Sequence, residues 1–201
     1  MATPFQRDLK KLGRHLVQIK RRAGMEDIFG FVVDSSTEVL LLHSFESEPF
    51  CLNGYDVIRQ SDIRYYCFFD DPRYWRFRAL KTLKVRPVKP RNISLGSIRE
   101  VLASVSLIYP CLSADREERD RPTSYVGPLV RLSERTFTME DTDYYGQFTG
   151  PRRLRYEDVT RICFDGGYLT ASAMTATIAA KRTQPKASRP ASRRKKPSHR
   201  L

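Results

Sequence analysis

An internal repeat constrains the fold of this chain more than any other feature of its sequence. Residues 30–33 (Gly-Phe-Val-Val) align with residues 127–130 (Gly-Pro-Leu-Val) at an offset of 97. A second set aligns at an offset of 96: Asp62, Ile63, Cys67 and Phe68 fall on Asp158, Val159, Cys163 and Phe164. The shared order is a glycine, an apolar strand, a polar turn, a second apolar strand, a polar loop, and two short strands around an aspartate. We therefore expect a duplicated β unit.

The strands of each unit are few and short. Four or five such strands bury too little apolar surface if they form a flat sheet. Curling into a small, partly open barrel removes the exposed strand edges. Asp62 and Asp158 each lie between two short strands, where a carboxylate can accept backbone N–H groups of a tight turn. We predict a structural turn role for both aspartates.

The ends of the two units resemble a known class of small barrel. Residues 57–63 (Val-Ile-Arg-Gln-Ser-Asp-Ile) and 154–159 (Leu-Arg-Tyr-Glu-Asp-Val) look like the strand, tight turn and short strand that close Sm-like and other SH3-type barrels. A helix predicted over 94–107 precedes the second unit, as in the Sm-like order. The Asn and Gly positions by which Sm-like barrels bind uridine-rich RNA are not clearly matched here, so the resemblance implies a fold and no RNA site.

Residues 25–175 resemble more closely a family of bacterial proteins of unknown function. The pieces that carry this resemblance are Leu41-Leu42-His43, Leu52-Asn53-Gly54-Tyr55, Tyr74-Trp75, Tyr125-Val126-Gly127, Thr149-Gly150-Pro151-Arg152, Asp158-Val159-Thr160-Arg161 and Gly166-Gly167-Tyr168. The resemblance brings no known activity with it.

Together these patterns predict an α+β, mainly β fold of two SH3-type, Sm-like, partly open β-barrels joined by a helical connector. The expected segments are a basic amphipathic helix (1–24), the first β unit (25–70), the helical connector (71–108), the second β unit (109–170), and a short helix followed by a disordered basic tail (171–201). In the first segment, Leu9, Leu12, Leu16 and Ile19 recur at helical spacing. That helix either lies on an anionic membrane or RNA, docks on its own domain, or is not made, in which case Met25 is the true start.

The net charge of +13 belongs to the two ends of the chain. Residues 1–24 carry seven Lys or Arg and one Asp, and residues 181–201 carry nine Lys or Arg and no acid, which leaves residues 25–180 at −2. The tail has too few apolar residues to order. Its densest cluster, Arg193, Arg194, Lys195 and Lys196, is a candidate for weak, non-specific binding of nucleic acid. The alternative is that the tail only keeps the chain in solution.

An aromatic stripe opens the connector. Tyr74, Trp75, Phe77 and Leu80 alternate there with arginines. Such a stripe more often belongs to the core, with its arginines extended to solvent. The alternative is that its rings stack on nucleic-acid bases.

No catalytic or metal-binding constellation is recognisable, so we expect neither an enzyme nor a cofactor. The four cysteines form no CxxC pair and are expected to be reduced packing residues. His43 has no neighbouring set of metal ligands. Neither a GxxxxGK phosphate loop nor a GxSxG nucleophile motif occurs. No run reaches the roughly 18 apolar residues of a membrane span, and no secretory signal is recognisable, so we expect a cytoplasmic protein.

Two functions remain open at this point. The favoured one is a non-enzymatic adaptor that binds an unidentified protein partner through strand edges and loops of the paired barrels. The alternative is a nucleic-acid-associated protein that binds RNA or DNA non-specifically through its basic termini.

Overall fold

The computed structural model describes residue 12 and residues 15–48, 50–69, 71–117, 122–143 and 145–183, with side chains of the last helix described as far as residue 175. This part of the chain is mainly β. Its strands are β1 Val17–Arg21, β2 Ile28–Ser35, β3 Val39–Glu46, β4 Cys51–Arg59, β5 Ile63–Phe68, β6 Leu112–Arg116, β7 Thr123–Gly127, β8 Leu129–Leu132, β9 Thr136–Thr142, β10 Phe148–Arg155 and β11 Arg161–Phe164. Its helices are α1 Trp75–Thr82, α2 Ile98–Ser106 and α3 Gly167–Thr183, with 3₁₀-helices at Gln60–Asp62 and Tyr156–Asp158.

The strands form two antiparallel sheets. The larger has eight strands in the order β5-β1-β2-β3-β4-β11-β6-β7, and the smaller has three in the order β10-β9-β8. Pro128 separates β7 from β8 at the corner between the sheets. A Cβ atom on Gly127 would lie 1.9 Å from the carbonyl oxygen of Glu140, so only glycine fits where the chain crosses β9 at this corner.

The expectation of two SH3-type, Sm-like, partly open barrels is wrong. Both sheets are open, and no closed barrel is present among the described residues. The reason lies at β4, whose outer edge pairs with β11 of the other half of the chain instead of closing on β5. The exposed edge that favoured a barrel is therefore covered by a strand from the other unit, and one sheet runs through both.

The N-terminal helix predicted over 1–24 is also wrong at residues 17–21, although Leu12 has helical backbone. Val17–Arg21 is strand β1, which pairs with β2 on one side and β5 on the other. Its side chains alternate between buried and half-buried, as a strand with one core face requires. Residues 1–11, 13 and 14 lie outside the described residues. A chain beginning at Met25 would lack this strand.

The main core lies between the two sheets and helix α2. Helix α2 begins at Ile98, inside the span 94–107 predicted from the sequence, because the Ser97 side chain caps it and accepts a hydrogen bond from the Glu100 amide at 3.2 Å. Its buried face packs on apolar residues of both halves of the chain: Val39, Leu41, Val57, Leu112, Phe137, Met139, Leu154, Ile162 and Phe164. Both β units thus share one core, which explains why they form a continuous sheet.

Residues 53–54 and 166–167 contact each other at the start of α3. The Asn53 side-chain oxygen accepts a hydrogen bond from the Gly167 amide at 2.7 Å, at the first residue of α3. Gly54 has φ +70° and approaches Gly166 so closely that a Cβ atom would lie 2.6 Å from the Gly166 nitrogen. Asn53 and Gly54 lie within β4, and their contacts with Gly166 and Gly167 fix the start of α3.

A buried polar network follows the seam between β4 and β11. Asp56, whose side chain is 3% exposed, accepts hydrogen bonds from Arg161 Nε at 2.8 Å and Ser44 Oγ at 2.5 Å. Asp115 Oδ2 lies 4.0 Å from Arg161 Nε and 3.9 Å from the Cys163 thiol. Burial raises the pKa of Asp115 and of Cys163. Burial alone would lower the pKa of Arg161, but the charge of Asp56 raises it above its ordinary value.

A second buried ion pair joins β1 to the other unit. Arg21 donates to both carboxylate oxygens of Glu117, at 2.7 and 2.5 Å. Thr160 Oγ1 donates to the same carboxylate at 2.7 Å. Burial alone would raise the pKa of Glu117, but the hydrogen bonds from Arg21 and Thr160 hold it below its ordinary value. The strand mistaken for a helix is thus bound to both β units.

Candidate nucleic-acid interface

The turn aspartates predicted from the sequence lie at equivalent places in the two units. Asp62 ends the first 3₁₀-helix, and its Oδ1 lies 3.6 Å from Arg22 Nη2. Asp158 ends the second 3₁₀-helix and lies 3.1 Å from Arg116 Nη2 and 3.2 Å from Arg155 Nη2. The predicted nucleic-acid cluster lies outside the described residues: Arg193, Arg194, Lys195 and Lys196.

The segment between the two β units carries a strong positive charge that the sum over 25–180 hides. Residues 71–92 contain eight Lys or Arg and one acid, Asp71, which gives +7 and leaves −9 for the remainder of 25–180. Seven of the eight basic residues are exposed: Arg73, Arg78, Lys81, Lys84, Arg86, Lys89 and Arg91. We call residues 71–92 with these side chains the connector surface.

Most of these cations have no acidic partner. Arg73 pairs with Asp71 at 2.6 Å, and Lys89 pairs with Asp34 at 2.6 Å. No salt bridge within the described part of the chain involves the other five: Arg78, Lys81, Lys84, Arg86 and Arg91. Their charges are therefore available to an anionic partner.

One apolar contact seats the helix of this surface on the first β unit. Leu80 of α1 is 8% exposed and packs with Leu16, Phe31 and Phe45 on the outer side of the large sheet. The opposite side of α1 faces solvent. Residues 85–90 have no regular structure, and Pro87 and Pro90 favour extended backbone at the residues before them. The basic side chains are thus distributed along an extended path and not gathered at one point.

Two side chains of the first β unit hold the middle of this path. The Val88 amide donates to Nδ1 of His43 at 3.1 Å, and the Val88 carbonyl accepts from the Tyr55 hydroxyl at 3.1 Å. The His43 ring stacks on Tyr55 at 4.5 Å between centroids, and Tyr55 stacks on Phe164 at 5.2 Å. Burial lowers the pKa of His43, which suits a ring that must be unprotonated at Nδ1 to accept this hydrogen bond.

The aromatic stripe is divided between core and solvent. Leu80 is buried as predicted, but Tyr74 is 56% and Trp75 57% exposed. The Trp75 indole stacks on the Phe50 ring at 5.4 Å and 29°, and the Arg76 guanidinium carbon lies 5.5 Å from its centroid. The core interpretation is therefore wrong for Tyr74 and Trp75.

The remaining chemistry of the described residues is sparse. No cluster of three His, Cys, Asp or Glu side chains suited to a metal ion occurs among them. All four cysteines are free, and burial raises the pKa of Cys111 to about 11, which makes it a poor nucleophile at neutral pH. Within the same residues, no helix is both long and apolar enough to cross a membrane.

Comparisons with known proteins give no assignment. The chain matches no protein-family model, no curated protein and no solved structure. The connector surface must therefore be interpreted from its own geometry.

The sequence contained a signal for this surface. Eight basic residues recur at intervals of two or three positions between residues 73 and 91, with no acid among them. A charge sum over a window of about 20 residues would have separated this segment from the acidic β units.

Proposed function

We propose that this protein is a non-enzymatic binding protein that associates with nucleic acid through the connector surface. One observation carries the proposal: five exposed cations without acidic partners lie within residues 71–92, beside a single acid. A chain that neutralises phosphates with such side chains releases condensed counterions, and this release drives sequence-independent binding.

The connector surface also changes the balance between the two functions considered from the sequence. A protein adaptor was favoured because the β unit is duplicated, has no recognisable active site and lies in a region, residues 25–180, that is nearly neutral in sum. That sum combines a segment of +7 with a remainder of −9, so neutrality does not describe the surface that a ligand meets. The connector surface also offers a route to nucleic acid that does not depend on the termini.

The salt dependence of binding tests the proposal in the full chain. If the five unpaired cations each neutralise one phosphate of a single strand, log Kobs falls with log salt with a slope of about −3.5. Binding to a labelled oligonucleotide, followed by fluorescence anisotropy, should then weaken about 100-fold between roughly 50 and 200 mM salt. Four glutamine substitutions should reduce this slope by about 2.8: Arg78→Gln, Lys81→Gln, Lys84→Gln and Arg86→Gln.

A matched variant distinguishes the connector from the tail. It carries the same number of changes and removes the same charge: Arg193→Gln, Arg194→Gln, Lys195→Gln and Lys196→Gln. The proposal predicts that the connector variant loses more affinity and more salt dependence than the tail variant. Loss confined to the tail variant would assign binding to the terminus, and an oligonucleotide that fails to bind the unaltered chain would refute the function.

A further inference from the structure

We infer that the connector surface selects single-stranded nucleic acid, because Trp75 provides a platform on which an unpaired base stacks. This inference rests on the proposed function and adds the class of nucleic acid and the residue that recognises it. It depends on the position of one ring, whereas the proposed function depends on charge alone.

The exposure of Trp75 is the first observation. Large aromatic side chains are usually mostly buried, because their rings contribute much of the apolar area of a core. Trp75 is nevertheless 57% exposed, and the adjacent Tyr74 is 56% exposed, although α1 has an apolar contact to the sheet through Leu80. Two neighbouring rings in solvent at the start of a basic segment form the kind of surface that stacks on bases.

The support beneath Trp75 is the second observation. The indole stacks on Phe50 at 5.4 Å between centroids. Phe50 in turn packs edge-on against Phe45 at 5.0 Å, and Phe45 is 6% exposed. The exposed ring is therefore connected through two aromatic contacts to the core of the first β unit. Because the ring is already held in place, a base that stacks on it does not have to immobilise it. The entropic cost of binding is therefore smaller.

The charges around the ring complete the site. Arg76, whose guanidinium carbon lies 5.5 Å from the Trp75 centroid, follows the ring directly, and the unpaired Arg78 and Lys81 lie on exposed positions of the same helix. Phosphates on either side of a stacked base can contact these cations. In a duplex the faces of the bases are covered by their neighbours, so a stacking platform discriminates in favour of single strands and tolerates any base.

Trp75 is the one tryptophan of the chain, so intrinsic fluorescence reports on this ring alone. Titration of the unaltered protein with an unstructured single strand, such as a thymidine oligomer, should quench the Trp75 emission in step with binding. A duplex of the same length should bind through the cations with little change in emission. Both measurements are made at one low salt concentration, where electrostatic attraction keeps the single strand and the duplex bound to the protein.

Substitution of the ring gives the second readout. Trp75→Ala should weaken single-strand binding by about 5- to 150-fold, the range for loss of one base–aromatic stack, and change duplex binding by less than about twofold. Trp75→Phe keeps a stacking face and should retain most of the single-strand affinity. Circular dichroism spectra and melting curves of both variants check that the fold is retained, which the exposure of the side chain favours.

The outcomes separate this inference from the proposed function. Equal affinity for single strand and duplex, with unchanged Trp75 emission and no effect of Trp75→Ala, would overturn the inference while nucleic-acid binding stands. Normal binding by the fourfold glutamine variant of the connector would overturn the proposed function and, with it, the selection of single strands by this surface. Quenching together with selective loss in Trp75→Ala supports the inference.

Discussion

The seam between β4 and β11 makes a quantitative prediction about stability. Arg161→Met keeps an unbranched apolar stem at the seam and removes the guanidinium. The Asp56 carboxylate, 3% exposed, then loses the Nε–H donor at 2.8 Å and keeps the Ser44 hydroxyl at 2.5 Å. One hydrogen bond from a neutral donor does not compensate a buried negative charge.

The size of the loss follows from the burial of the two partners. Removing one member of a buried ion pair costs about 3–5 kcal/mol. The Arg161 side chain is 22% exposed, so water already screens part of the attraction, and we expect a value near the lower end, about 3 kcal/mol. For a chain of this length each kcal/mol shifts Tm by about 2–4 °C, so the melting temperature should fall by about 6–12 °C.

A double-mutant cycle isolates the interaction. Asp56→Asn removes the charge but keeps an oxygen that can accept from Ser44, so Asp56→Asn with Arg161→Met should recover about 1–2 kcal/mol of the loss. Denaturant unfolding at neutral pH measures the four free energies. Arg131→Met, at an exposed arginine of β8, is the control and should cost less than about 0.5 kcal/mol. The reasoning fails if Arg161→Met costs no more than this control, or if the double variant loses the sum of the two single losses.

Two smaller predictions concern contacts that position the connector surface and α3. The folded-state pKa of His43 lies below its ordinary value of 6.5 because the ring is buried, so its contribution to stability is complete above about pH 6.5 and is lost as the pH falls below it. His43→Asn keeps an acceptor that does not titrate, so the free energy of unfolding of wild type should fall relative to this variant between about pH 6.5 and pH 5; parallel curves would contradict the role of Nδ1. Asn53→Ala removes the acceptor at 2.7 Å from the Gly167 amide and should cost about 1 kcal/mol in thermal unfolding. Asn53→Asp retains an acceptor, and an equal loss in both variants would show that the hydrogen bond is not the cause.

The sequence did not predict strand β1. In residues 9–21 the apolar positions satisfy two periods at once, since Leu9, Leu12, Leu16 and Ile19 fit a helix while Val17 and Ile19 fit an alternating strand. The choice depends on partners that are distant in sequence. β1 pairs between β2 and β5, and the sequence around residues 17–21 contains no sign of these distant partners.

The barrel prediction failed for a related reason. Counting strands within one unit indicated that both of its edges had to be removed, but β5 remains an edge strand of the open sheet. The edge of β4 is covered by β11, and the Arg161 side chain donates to Asp56 across a separation of 105 residues. Which edge pairs with which is decided by burial and charge across units, and a repeat aligned against itself cannot show that its two copies join.

The candidate site was predictable in part from helix geometry. At about 100° per residue, Phe77 and Leu80 lie about 60° apart around α1, whereas Trp75 lies about 140° from Leu80 and about 160° from Phe77. Trp75 therefore does not share the buried face of Leu80, and its ring stacks on Phe50 at the margin of that cluster while the side chain is 57% exposed. The interpretation of all four residues as one core stripe overlooked this angle. The charge sum of −2 for residues 25–180 had a similar fault. It combined a segment of +7 with an acidic remainder and so hid the positive segment. The exposed ring and the unpaired cations lie together on the connector surface, and a single-stranded nucleic acid is the ligand that we propose for both.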